Sequence, residues 1–466
     1  MKKIINFLKT DIKIINSYFL FAIILIILVC VGYSSYALFS FTKTSTNVIE
    51  GVVGDLSKSL DTSGANKPVL ASNMIPVYYD KTNNVWKKAD AKNSDEKNRW
   101  YSYESSGTNK GMWANAVTVT NASRSKYLNA NIGTSINMND ITTMWVWIPR
   151  FNAVTPSNYN GGQQMRPGAI NVTFVKQNKT AIDAFTFGNK ELSGFWYGKF
   201  ETSHTTLAPG QVYNNLGCSN ETCSNANGII IKPSAKILIN NNVSNYFFAA
   251  RSMAQENNSF GFVSSEVNIH LSKNSEWGAV AYLTQSIYGR CTSSNACTEV
   301  AYNNDTSYTT GHGGSYLISS YEKSLAASTT GTIYGIYDMS GGKGEYVMGV
   351  YADPNGKPRS GSSESYNSGF TGMLYDGTMY SGVPFPDSKY YNLYTGNSYQ
   401  GHALTETSRW YGDYAGFISS NGVWFIRGSD FNKYEDNYDI NGIFAHYWDF
   451  LYERGSYSSR FVITNE

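Results

Sequence analysis

Charge is scarce in this sequence. Lys, Arg, Asp and Glu make up 15% of its 466 residues, where about a quarter is ordinary for a globular domain. Neither sign is in excess, 37 basic residues standing against 35 acidic for a net of +2. A nucleic-acid binder needs a basic face to displace counterions, so that partner is set aside. An acidic or polybasic interaction tail is set aside on the same ground. Histidine is scarcer still. His204, His270, His312, His402 and His446 are scattered, with no H-x-E, H-x-x-x-H or H-E-x-x-H pairing to build a metal site. No G-x-S-x-G turn offers a serine nucleophile, and no carboxylate pair of glycosidase type is recognisable.

Apolar and aromatic residues are there in quantity, 41% and 15%, enough for a sizeable core and against gross disorder. Tyr (36) and Gly (42) are abundant. With Asn and Ser they form the palette of adaptable recognition surfaces, and also that of a β-rich chain with biased base composition.

The N-terminus reads as an export signal. Lys2, Lys3, Lys9 and Lys13 precede an uninterrupted apolar run from Tyr18 to Val31, the order of a cationic n-region and an h-region. Extended through GYSSYALF, the run reaches the roughly 20 residues of a membrane-spanning helix. Small residues at Ser35 and Ala37 also make a signal-peptidase site. Residues 1–41 are therefore a signal peptide cleaved near Ala37 or a retained signal anchor. The first outcome gives a secreted protein, the second a membrane protein with an extracellular domain. Apart from Cys30, the cysteines come as two close pairs, Cys218/Cys223 and Cys291/Cys297, each among loop-forming residues. In an exported chain these are two small disulfide loops, worth about 2–3 kcal/mol each.

Behind the N-terminus, residues 42–69 form a Ser/Thr/Gly-rich flexible spacer. Residues 70–140 form a small β-rich module, with alternation such as Ala116-Val117-Thr118-Val119-Thr120. A denser region follows from 141 to 466. Helices are expected near 245–257, with Ser244 as cap, and near 275–286. Phe247 and Trp277 lie on their apolar stripes and should face the core. Two helices on a loop-rich sheet scaffold make the fold class α+β.

Five strings in this region resemble, in order, the domains of formylglycine-generating enzymes and sulfatase-modifying factors. They are MWVWIPRF (144–151), GFWYGKFETS (194–203), LSKNSEWGAVAYLTQS (271–286), TTGTIYGIYDMSGGKGEYVMG (329–349), and WFIRGSDF with a closing RFVI. The wording NSEWGAVAYLTQS and YGIYDMSGG is most similar to exported proteins of low-GC Gram-positive bacteria. The resemblance implies a C-type-lectin-like fold of the formylglycine-generating-enzyme type. It also implies a calcium site, in which Glu345 keeps the family's last ligand while Gly342 replaces its Asn. The alternative is a Glu345 satisfied by backbone amides, so the expectation is no cofactor, with calcium as the one candidate.

The family's oxidase chemistry does not carry over. It relies on a cysteine pair after the R-G-G-S-F strand, and no cysteine follows Cys297 here. Without thiolates there is no copper(I) site of that type. The expected function is non-catalytic: an exported, surface-tethered or secreted display or adhesion protein whose late loops bind a protein or glycan at the cell surface. The alternative is a sulfatase-modifying-factor-like oxidoreductase of unknown substrate. Relatives that share this resemblance include variable proteins of diversity-generating retroelements, whose variable residues lie in the stretch matching 429–459. Lys433, Glu435, Trp448 and Glu453 cannot arise from mutagenised asparagine codons and would be fixed positions. Within 429–459 the binding residues are read as Tyr434, Asp436, Tyr438, Asp439, His446, Tyr447, Trp448, Asp449 and Tyr452. Ile443-Phe444 is read as a packing strut, and Trp424-Phe425-Ile426 and Phe461-Val462-Ile463 as buried flanking strands.

Overall fold

The structure, a computed structural model, describes residues 59–156, 166–207, 216–219, 222–313, 320–358, 370, 372–373, 379–380, 385–396, 399–419, 424–428, 434–435, 438–439, 441–449 and 457–465. The N-terminal apolar run lies outside them. Among the described residues no helix is long and apolar enough to cross a membrane.

The apolar run at 144–151 becomes an inner strand of the larger sheet. That sheet is built from β1 (Ile75–Asp80), β2 (Val85–Lys88), β3 (Asn115–Val119), β4 (Ser135–Ile136), β5 (Ile141–Pro149), β6 (Gly194–Gly198), β7 (Val267–Leu271) and, last in the chain, Phe461–Asn465. Nearly every residue of β5 is buried, as a short continuous apolar run implies for a strand covered on both faces. β5 pairs antiparallel with β3 on one side and β6 on the other, setting Trp147 opposite Trp196. Gly194 is required there, because a Cβ would run into the Trp147 indole. The four strands between 75 and 136 thus join the same sheet as β5, β6 and β7. Residues 59–69, read as spacer, are tied to that sheet. The Trp147 and Trp196 indoles donate to the carbonyls of Asn66 (3.1 Å) and Val69 (2.7 Å).

A second, five-stranded sheet comes from the C-terminal part of the chain. It contains β8 (Gly344–Tyr351), β9 (Asn392–Tyr394), β10 (Trp424–Gly428), β11 (Gly442–Asp449) and β12 (Tyr457–Ser459). The order is β9-β8-β10-β11, with β12 pairing onto the first residues of β8. β13 (Phe461–Asn465) then returns to the larger sheet between β6 and β7. Arg460 alone separates β12 from β13, so the chain passes from one sheet to the other at that residue. The flanks read as buried strands are buried: Trp424, Phe425, Ile426, Phe461, Val462 and Ile463 are all at 0% exposure.

Among the described residues the α-helices are α1 (Asn121–Leu128), α2 (Val243–Ser252) and α3 (Asn274–Thr284). Strand accounts for 32% of the described residues and helix for 14%. The α+β class expected with the C-type-lectin-like resemblance is therefore corrected to a sheet-rich molecule. The reason is visible in the Tyr- and Gly-rich runs, which lack amphipathic periodicity and pair into many short ladders rather than forming helices or open loops. Phe247 and Trp277 face the core, at 3% and 0% exposure. The cap of α2 is Asn242, not Ser244. Its side chain accepts from the Asn245 backbone N–H at 2.9 Å, and the Ser244 hydroxyl donates to Asn242. At α3 the Glu276 carboxylate accepts from the Lys273 N–H at 2.8 Å, half of a capping box. The other oxygen meets His270 Nε2 at 3.0 Å.

Candidate functional site

Of the sequence-predicted binding residues, the second sheet carries His446, Tyr447, Trp448 and Asp449. β10 and β11 pair antiparallel, placing Arg427 opposite His446, Ile426 opposite Tyr447, and Phe425 opposite Trp448. Ile443 and Phe444 anchor β11 from within, at 3% and 0% exposure, and the Trp277 indole donates to the Ile443 carbonyl at 2.9 Å. The strut reading holds.

Along β11 burial gives way toward the end of the strand, through buried His446 and half-buried Tyr447 to exposed Trp448, with His446 and Trp448 on one face and Tyr447 on the other. His446 is buried at 2% exposure, which removes it from any surface. Its Nδ1 lies 3.1 Å from the Phe444 carbonyl, and its ring meets Phe425 edge-on. Burial, with Arg427 adding to it, drives its pKa down to about 3, so the ring is neutral. Tyr447 is half-buried, packed on Tyr457 with its hydroxyl over Gly344. It is part of the packing rather than an exposed anchor. Trp448 is the one that reaches solvent, at 36% exposure. Tyr434–Glu435 and Tyr438–Asp439 pair as a short antiparallel ladder. Their side chains lie outside the described residues, as do Asp436, Tyr452 and the Asp449 side chain.

Glu345 does not fit the calcium role. It sits on β8 at 0% exposure, and both of its oxygens are taken by Arg460, at 3.1 Å to Nε and 2.6 Å to Nη2. A hard cation needs several oxygen ligands, and this carboxylate has none to spare. Among the described residues no group of three or more His, Cys, Asp or Glu is arranged to hold a metal ion.

Around that pair lies a buried charge cluster with no local signature in the sequence. Arg460 also donates to the Gly198 carbonyl at 2.9 Å, so its guanidinium spans both sheets. Glu201 accepts from the Lys343 N–H at 3.1 Å, under a loop where Gly342 has φ +70 and a Cβ would strike the carboxylate. Asp338 accepts from the Gly311 N–H and the Asn303 carboxamide, each at 2.9 Å. Burial raises all three carboxyls, Asp338 to about 6, Glu345 to about 7, and Glu201 well above its usual range. Arg460 pulls each the other way. One guanidinium shared among three buried carboxyls favours protonation of some of them at neutral pH.

Both cysteine pairs are disulfides, Cys218–Cys223 and Cys291–Cys297. Each closes a short two-stranded ladder in which the bonded cysteines face one another.

A scan against protein-family models finds no match to this chain, and no curated protein matches its sequence.

Proposed function

We propose that this chain is an exported, non-catalytic relative of the formylglycine-generating-enzyme domains that binds a protein or glycan ligand through its 429–459 segment. The observation that carries the reading is Trp448. It stands 36% exposed beside half-buried Tyr447, on a strand that is buried from Gly442 to His446. A rigid aromatic held by a buried strand is the kind of anchor that dominates binding surfaces. The two disulfides support an oxidising compartment, in line with the lysine-flanked apolar run at the N-terminus. The absence of any cysteine after Cys297 supports a role without thiolate chemistry.

The test uses arrayed glycans and cell-surface proteins probed with the full-length chain and with Trp448→Ala. Binding by the parent chain that weakens roughly 30-fold in the variant, the cost of a hot-spot residue, supports the proposal. Equal binding by both chains, or turnover of any arrayed ligand, contradicts it.

A further inference from the structure

Both ends of the 429–459 segment are fastened beside one buried carboxyl. Gly428, just before the segment, accepts from the Gly341 N–H at 3.0 Å. Ser459, its last residue, accepts from the Thr202 N–H at 3.0 Å and from the Thr202 hydroxyl at 2.9 Å. Glu201 joins the two fastenings. It precedes Thr202 in the chain, and its carboxyl accepts from the N–H of Lys343, two residues beyond Gly341. We propose that a proton on Glu201 regulates the 429–459 segment, holding its two ends in place while the carboxyl is neutral and loosening them, and with them ligand binding, when it ionises. This inference rests on the reading of that segment as the binding face.

Hydrogen bonding singles out Glu201 among the three buried carboxyls. Glu345 has both oxygens on Arg460. Asp338 accepts from the Gly311 N–H on both oxygens and from Asn303. Glu201, at 0% exposure, has the one bond from Lys343, and its Oε2 has no partner among the described residues. A buried carboxylate so poorly supplied with donors is costly to ionise. Burial raises its pKa well above the usual range, the charges of Glu345 and Asp338 add to that, and Arg460 opposes it.

The remaining groups around Glu201 supply no second cation that bonds it. Tyr246 faces it from α2, a phenol that burial keeps neutral, and the Tyr246 hydroxyl donates to the carbonyl of Tyr457, again in the segment, at 3.1 Å. The Lys343 ammonium stands over the Tyr308 ring, 3.7 Å from its centroid. His312, beyond Asp338, is engaged by Asp305 at 2.8 Å.

The loop that bonds Glu201 is the element placed to give way. Asp338 opens it at φ +62, a left-handed conformation that non-glycine residues seldom adopt. Strain of that kind persists only where the surroundings over-determine it, here through the Gly311 and Asn303 bonds to the Asp338 carboxylate. Negative charge appearing on Glu201 repels that carboxylate and draws water toward the Lys343 N–H. Gly341, in the same loop, then loses its hold on Gly428.

Amide hydrogen exchange of the full-length chain, resolved to single residues by mass spectrometry and divided by the intrinsic rate, tests this without a ligand. The closed form keeps a proton that the open form, with an ordinary carboxyl pKa of about 4, releases. Opening at the Gly341, Lys343 and Thr202 amides should therefore rise about tenfold or more from about pH 6 to about pH 8. At about pH 8 these amides should exchange faster than those of β5, because they open without global unfolding. Glu201→Gln keeps an acceptor for the Lys343 N–H and cannot ionise, so its rise should shrink to about threefold or less. Should that variant fail to fold, Asp338→Asn removes a neighbouring charge and should make the rise level off at a lower pH. Any arrayed ligand held at about pH 6 should bind the parent chain about tenfold more weakly at about pH 8. Because no ligand enters the exchange measurement, its failure and failure of the 429–459 reading are distinguishable. The proposal is overturned if the parent rise stays under about threefold, if the three amides exchange no faster than β5, if a folded Glu201→Gln or Asp338→Asn keeps the parent profile, or if an arrayed ligand binds the parent equally at both pH values.

Discussion

The two sheets fill their interiors in opposite ways. In the eight-stranded sheet and the segments on it, Trp86, Trp100, Trp113, Trp145, Trp147 and Trp196 are all buried. Each indole N–H has an acceptor: the Tyr321 hydroxyl, the Asn115 and Tyr288 carbonyls, the Thr143 hydroxyl, and the Asn66 and Val69 carbonyls. The five-stranded sheet buries more ionisable groups, with Glu345, Arg427 and His446 on its strands and Arg460 at its corner, where the strands of the larger sheet bury His270, on β7 beside Glu276. Arg427 donates from Nη2 to the Ala403 carbonyl, while its Nε and Nη1 find no partner among the described residues. A satisfied aromatic interior is indifferent to pH. An interior with three carboxyls to one shared guanidinium is not. The difference assigns pH sensitivity to the second sheet, which also carries Trp448, the proposed ligand anchor.

The comparison can be broken by substitution. Trp147→Ala should cost about 3–5 kcal/mol, by emptying a large volume and orphaning the Asn66 carbonyl, and the loss should be the same at acidic and neutral pH. Urea unfolding at two pH values measures it, and a pH-dependent loss would erase the distinction. Arg460→Met should cost about 3–5 kcal/mol at neutral pH and less in acid, because it leaves Glu345 buried without its partner until a proton arrives. Equal losses at both pH values would show that Arg460 matters for packing alone.

A smaller effect sharpens the same point. Glu201, Asp338 and Glu345 have folded pKa values raised above the roughly 4 of an unfolded carboxyl. The folded chain therefore holds protons that the unfolded chain has released. Their contribution to stability is complete below pH of about 4 and declines as pH rises through the folded values, between about 6 and 7 for Asp338 and Glu345. The unfolding midpoint should fall between about pH 5 and pH 8, and Glu201→Gln should flatten that slope by keeping one site neutral throughout. A variant as steep as the parent would remove Glu201 from the cluster.

What could be read from the sequence divides along the same line. Continuous apolar runs such as MWVWIP and FVI announce buried strands, and the helical stripes at Phe247 and Trp277 announce their helices, because these signals are local. The disulfides follow from close spacing in loop-forming sequence. The charge cluster was not legible. Glu345 and Arg460 are 115 residues apart, and nothing near either predicts the other. The α+β reading failed because two helices stand out by period, while many two- and three-residue ladders have no period at all. Within the candidate site the composition of 429–459 was legible but its facing was not. A Tyr- and Trp-rich strand buried on one face looks the same in sequence whichever residue points outward, and a shift of one position exchanges the faces.

That facing is the point on which the functional reading rests, and adjacent residues test it. Thermal unfolding and ligand binding measured side by side on full-length Tyr447→Ala and Trp448→Ala address it most directly. Tyr447→Ala, losing its packing over Gly344 and against Tyr457, should lower stability by about 2 kcal/mol. Trp448→Ala should lower it by about half as much or less and weaken binding roughly 30-fold. If Trp448→Ala instead unfolds the chain while Tyr447→Ala removes binding, β11 presents its other face and the assignment is wrong.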